Sequence, residues 1–137
     1  MKDKKYTIEL SIEQLKVIRE ACEYYSRFCA GQMCLPQQLE VYMHEKYGFD
    51  SFIQKRNFVE KNFADIKAVV FEMGRNESIG IGCKELVEEA KVCYDIYRPI
   101  LEFFAKKHNE EHPDEKSYSV YDYDGLSYSK QGRITIK

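Results

Sequence analysis

The chain has no tryptophan and only three prolines among its 137 residues. So few prolines leave long stretches free to be helical. No apolar run approaches 18 residues, the length a membrane-spanning helix needs. The opening MKDKKYTIEL lacks the apolar stretch of a secretory signal. These two absences predict a cytoplasmic protein with no membrane partner. Neither charge dominates: 21 Lys and Arg face 23 Asp and Glu, for a net charge of −2. A duplex-binding protein carries a dominant basic face, so duplex nucleic acid is not expected. The five cysteines include no C-x-x-C pair. Cys22, Cys29, Cys34, Cys83 and Cys93 read as small buried hydrophobes rather than zinc ligands or a redox pair. No G-x-S-x-G is present, and no paired Cys and His with a third member. Neither catalysis nor a cofactor is therefore expected, although carboxylates are too plentiful to exclude an acid–base pair.

What is abundant is tyrosine, with 11 residues, and phenylalanine, with 8. Rings in these numbers suit surfaces buried between helices, between subunits or around a ligand. They predict a homodimer or larger homo-oligomer. The length and a 44% apolar content fit one domain over 1–137 with its own core.

Ser11 and Gln14 form an S-x-x-Q capping box, and Gly31 supplies a left-handed stop. Ile12, Leu15, Ile18, Cys22, Tyr25 and Cys29 recur at helical spacing between them, which predicts a helix over 12–30. Tyr24, Tyr25, Arg27 and Phe28 crowd its last turns, a composition that suits either nucleotide recognition or a subunit interface. Alternation in 6–10 predicts a strand. Pro36 opens a second helix over 36–46, 49–55 is helix or loop, and a third helix spans 57–73. Three glycines in 74–82 mark a loop. A fourth helix begins near Cys83, and Pro99 makes it either one kinked helix or two. Residues 106–116 read as a solvated stretch, loop-like after His112-Pro113. Residues 126–128 and 133–136 read as a hairpin around Lys130-Gln131-Gly132. The expected fold is α+β: about four helices with a small antiparallel sheet formed by the N-terminal strand and the C-terminal hairpin.

Several motifs carry two readings. His108-Asn109-Glu110-Glu111-His112 matches H-x-x-E-H, but Pro113 and the polar surroundings favour a solvated helix end over a metal site. The 74–82 loop is not a phosphate loop of the Walker type. Arg75, Asn76 and the start of the following helix suit a bound anion, against a plain flexible loop. Phe71 is a core residue or a stacking face. Arg98 is a surface residue, an ion-pair partner of Asp95 or Glu102, or a phosphate ligand. Arg56 belongs to a cap region or reaches a phosphate. Asp122 and Asp124 form a turn or accept from ribose hydroxyls, and Arg133 pairs with them or meets a phosphate.

The order of a short strand, a helix ending YYSRFCAGQ, and LPQQLE on a second helix resembles a group of small phage proteins, the first type of Thoeris anti-defence protein. The resemblance implies a sponge. Such proteins bind a glycocyclic isomer of cyclic ADP-ribose, made by a bacterial TIR-domain enzyme, and do not cleave it. They keep it from an NAD-depleting effector in the host cytoplasm. It also implies dimers, some assembling further, and in some members a separate site for cyclic oligonucleotides. Phe71, Arg98 and Arg133 best fit the aromatic and arginine contacts so implied. The full expected ligand-binding set is Arg56, Phe71, Arg75, Asn76, Arg98, Asp122, Asp124 and Arg133. The rival readings are a homo-oligomeric regulatory protein without a small ligand and a small nucleotide-processing enzyme.

Overall fold

The computed structural model describes residues 4–115 and 125–137. Among the described residues there are four helices, α1 (Ile12–Cys29), α2 (Gln37–Tyr47), α3 (Phe49–Phe71) and α4 (Glu88–Glu111), and no strand. The expected α+β fold with its antiparallel sheet is therefore corrected to an all-helical one. The reason lies in where the backbone donors of the expected strands go. Residues 6–10 stand exposed and run into the α1 cap. The expected hairpin, 126–136, spends its N–H groups on α4 instead of on a partner strand.

The expected capping box holds α1. Ser11 Oγ accepts the Gln14 N–H at 3.2 Å, and Gln14 Oε1 accepts the Ser11 N–H at 2.8 Å. At the other end Gly31, with φ 83°, lets Gln32 N–H reach the Arg27 carbonyl at 2.9 Å and Gly31 N–H the Phe28 carbonyl at 3.0 Å. This closes a Schellman motif. Gly48, with φ 75°, turns α2 straight into α3. The ambiguous 49–55 is thus the first two turns of α3, fixed by Phe52, whose ring is buried edge-on against His44 at 5.7 Å. Helix α4 starts five residues later than expected. Leu86, only 3% exposed, sinks into a cluster with Ala30 and Ala90, and 83–87 form turns to deliver it there. The other end of α4 continues to Glu111 and stops at His112, just before the expected loop-like stretch. Lys106–Glu102 and Lys107–Glu111 pairs, each four residues apart, support those turns.

Helix α1 packs along α4, and α2 packs along α3. The two pairs meet at the C-terminal end of α1. There the Ile79 N–H donates to the Ala30 carbonyl at 3.0 Å, Phe28 meets Phe63 edge-on at 6.2 Å, and the buried Lys67 ammonium donates to the carbonyls of Arg75 and Glu77. Among the described residues loop carbonyls, not a carboxylate, satisfy this buried cation, and it pins 74–77 against α3.

Candidate functional site

The site is built around a missing hydrogen bond. Pro99 lies inside α4, which remains one continuous helix. Proline has no N–H, so the carbonyl four residues earlier, that of Asp95, loses its helical donor. The Ile134 N–H supplies the replacement at 3.3 Å. Asp95 binds the same segment with its side chain. Its fully buried carboxylate accepts from Ser127 Oγ at 2.8 Å, Tyr128 N–H at 3.1 Å, Ser129 N–H at 2.8 Å and Ser129 Oγ at 2.6 Å. Burial pushes this carboxyl up, but the Ser129 hydroxyl and the surrounding N–H and hydroxyl donors outweigh it and hold it below its ordinary value. On either side Lys130 N–H donates to Glu88 at 2.6 Å, and Arg133 pairs with Glu102 at 2.9 Å. Residues 127–134 are therefore strapped along α4 by their backbone.

The strap brings aromatic and cationic groups together. Tyr94, Arg98 and Glu102 follow at four-residue intervals and share one stripe of α4. The Arg98 guanidinium lies over the Tyr94 ring, 5.7 Å from its centroid. Tyr128 from the strap meets the edge of Tyr94 at 5.2 Å and 84°. Tyr97 flanks it at 5.2 Å. Tyr97 is buried against α1, and that burial pushes its phenol up to about 12. One turn further on, Lys106 and Arg133 both bind Glu102, at 2.7 and 2.9 Å, and Lys106 first, with Arg133, holds that carboxyl below its ordinary value. Two cations thus share one carboxylate. Pro99, Phe103, Arg133 and Ile136 line a cleft of about 280 Å³ beside them. Guanidinium over an aromatic ring, with a second guanidinium nearby, is chemistry suited to a base and a phosphate.

Of the expected residues, Arg98 and Arg133 converge on this stripe. The others that lie among the described residues do not join them. Phe71 is the half-buried last residue of α3, which does not pack on α4. Arg75 and Asn76 are exposed at a turn after α3. Arg56 ties α3 to Glu40 of α2 at 3.3 Å and to Glu60 at 3.0 Å. Asp122 and Asp124 lie outside the described residues. Arg133 pairs with Glu102. Tyr94, Asp95 and Tyr128 were not among the expected site residues. The signal for Asp95 was Pro99: a proline inside a helix frees the carbonyl four residues before it.

His108 and His112 stack at 4.5 Å, and no cluster of three or more metal-binding side chains exists among the described residues. Four cysteines are half-buried and Cys34 is exposed, which corrects the expectation that all five are buried. Burial, then the neighbouring Cys93, pushes the Cys22 thiol up to about 11, so it stays protonated and inert. No helix among the described residues is long and apolar enough to cross a membrane. Comparison with family models, curated proteins and solved structures gives no match.

Proposed function

We propose that this protein captures a small signalling nucleotide and holds it without cleaving it. The ligand proposed is a glycocyclic ADP-ribose isomer of Thoeris immunity, and the consequence is suppression of that response in the host cytoplasm. The sequence resemblance supplies the ligand's identity. The observation that carries the reading is the Arg98 guanidinium over Tyr94, with Tyr128 against the same ring and Arg133 a turn away. An adenine stacks on rings, and a pyrophosphate takes arginine forks. The cleft in one chain is open and small. Enclosing a nucleotide tightly needs further walls, so the proposal includes a homo-oligomer whose second copy helps to close the site.

A second reading, a homo-oligomeric regulatory protein without a small ligand, draws on the exposed apolar side chains of α2 and α3. One experiment separates these readings and a nucleotide-processing enzyme. The protein is incubated with cyclic ADP-ribose isomers and heated, and the released material is analysed. Intact ligand is the expected result. Altered ligand would identify an enzyme, and no ligand the regulatory reading. In titration calorimetry Arg98→Ala is expected to weaken capture by about 1–3 kcal/mol, with Arg98→Lys restoring only part of it. Phe71→Ala with a normal melting temperature tests whether the end of α3 contributes: unchanged affinity removes Phe71 from the ligand set.

A further inference from the structure

Helices α2 and α3 make an antiparallel hairpin about Gly48. The contacts His44–Phe52 and Glu40–Arg56 bridge it at equal chain distances from that glycine. Between the helices runs an open groove of about 570 Å³. Leu39, Tyr42 and Met43 form one wall, Lys55, Phe58 and Val59 the other, and Tyr47 stands at the corner. Each wall has the i, i+3, i+4 spacing of a single helix face. Among the described residues α2 packs on no helix but α3. Tyr42 is therefore left 51% exposed and Phe58 69%.

The charge beside the groove is one-sided. The Lys55 ammonium lies over the Tyr47 ring, 4.6 Å from its centroid, and the Lys46 ammonium lies 5.3 Å from the same centroid. Lys46 also donates to the Tyr42 hydroxyl at 3.0 Å. The Tyr42 phenol first, then that of Tyr47, holds Lys46 above the ordinary lysine value, so it stays charged. Among the described residues neither ammonium has a carboxylate partner, while Glu40 and Glu60 of the same two helices are both spent on Arg56. Sharing one ring sets the two ammoniums closer together than the screening length, about 10 Å at 0.1 M salt, so they repel. An anion placed over Tyr47 is attracted by both.

The shape of the groove selects the kind of anion. A small ligand is held by a cavity that buries most of its surface, and this groove has no roof. A helix laid along the seam brings its own third wall. From Leu39 to Tyr47 the α2 wall rises about 12 Å, a little over two helical turns. That length accepts apolar anchors at i, i+4 and i+7. Met43, unbranched and polarizable, adapts to anchors of different shape.

We propose that the α2–α3 groove docks an acidic amphipathic helix of another protein, its apolar anchors against Tyr42, Met43 and Phe58 and its carboxylates against Lys46 and Lys55. This docking is separate from nucleotide capture on α4 and gives the other helix pair a protein-binding function.

Fluorescence anisotropy with two labelled designed helices tests the assignment. Both carry Leu at i, i+4 and i+7; one has Glu at the flanking positions and the other Lys. The Glu helix is expected to bind, and the Lys helix to bind about tenfold more weakly, the size of two rim ion pairs. Added salt is expected to shrink that difference. Lys46→Glu with Lys55→Glu is expected to reverse the preference. Lys5→Glu with Lys84→Glu, at exposed positions outside both helices, is expected to keep it. Phe58→Asp replaces an exposed side chain, so the melting temperature is kept while both helices are expected to lose binding. No binding of the Glu helix up to about 1 mM would overturn the docking site. So would a preference that survives the Lys46 and Lys55 reversal, or binding that Phe58→Asp leaves intact. Decanoate displacing the Glu helix and losing its own binding with Phe58→Asp would give the groove to a small amphiphile. Self-association in sedimentation velocity that Phe58→Asp abolishes would give it to a second copy. Either result would overturn the proposed occupant. Capture of cyclic ADP-ribose isomers, measured by heat release, is expected to be unchanged by the Lys46 and Lys55 reversal, so the nucleotide reading stands or falls separately.

Discussion

Asp95 is a buried charge held, among the described residues, by hydroxyl and N–H donors of Ser127, Tyr128 and Ser129. Hydrogen bonds to an ionised group are worth about 1.5–3 kcal/mol each where donors have nowhere else to turn. Asp95→Asn keeps the shape but loses the charge, and is expected to cost about 2 kcal/mol and to loosen 127–129 first. The same residue sets a pH dependence. Its folded carboxyl titrates below the ordinary 3.8, and that of Glu102 below the ordinary 4.5. A depressed carboxyl contributes stability that is fully present above its unfolded value and is lost as pH falls through the folded one. Docking of the strap is therefore expected to be pH-independent near neutrality and to weaken below those ordinary values. Hydrogen exchange at Tyr128 and Ser129, measured down a pH series and corrected for intrinsic rates, checks it. Protection that weakens as pH rises instead would contradict the assignment.

At the scale of the element, Pro99 does the opposite of what a proline in a helix usually does. It removes a bond from α4 and thereby creates an acceptor for Ile134. Pro99→Ala returns an N–H to position 99, where it competes for the Asp95 carbonyl. The helix is expected to gain while Ile134 N–H loses protection by about fivefold, since one hydrogen bond is worth about 1 kcal/mol. Faster exchange confined to 133–136 is the result to look for. Local signals in the sequence were enough for α1, whose capping box and Gly31 stop are both present. They failed at 126–128 and 133–136, where alternation was real but no strand formed. Alternation predicts one inward face, yet Leu126 and Ile134 are exposed while Tyr128 and Ile136 are half-buried. It does not report which groups take the backbone donors, and Asp95, Glu88 and Glu102 were too far along the chain for any local pattern to pair them with the strap. The start of α4 failed for a related reason: the burial of Leu86 is a tertiary fact.

The whole molecule is two helix pairs joined at one corner, and its shape explains why the candidate site was only half legible. Arg98 and Arg133 were readable as cations beside a proline break and on a terminal segment. Their convergence on one stripe depends on the strap, and Tyr94 and Tyr128 entered with it. Phe71, Arg75, Asn76 and Arg56 belong to the α2–α3 half, which does not pack against α4. The abundance of tyrosine did not report how the rings divide between the stripe on α4 and the exposed side of α2.

The strap has a thermodynamic consequence for any molecule that stacks on Tyr128. Such a ligand touches two parts of the chain at once, the helix and the segment that Pro99 allows to dock. Whatever free energy it gains from the docked segment it returns as added docking, by reciprocity of linkage. Retention and order then become two readings of a single coupling. The factor by which bound nucleotide slows exchange at Ile134 is expected to equal the factor by which undocking the segment, as in Asp95→Asn, weakens the nucleotide. Unequal factors would place the ligand on α4 alone; equal ones would make the last residues of the described chain part of the grip.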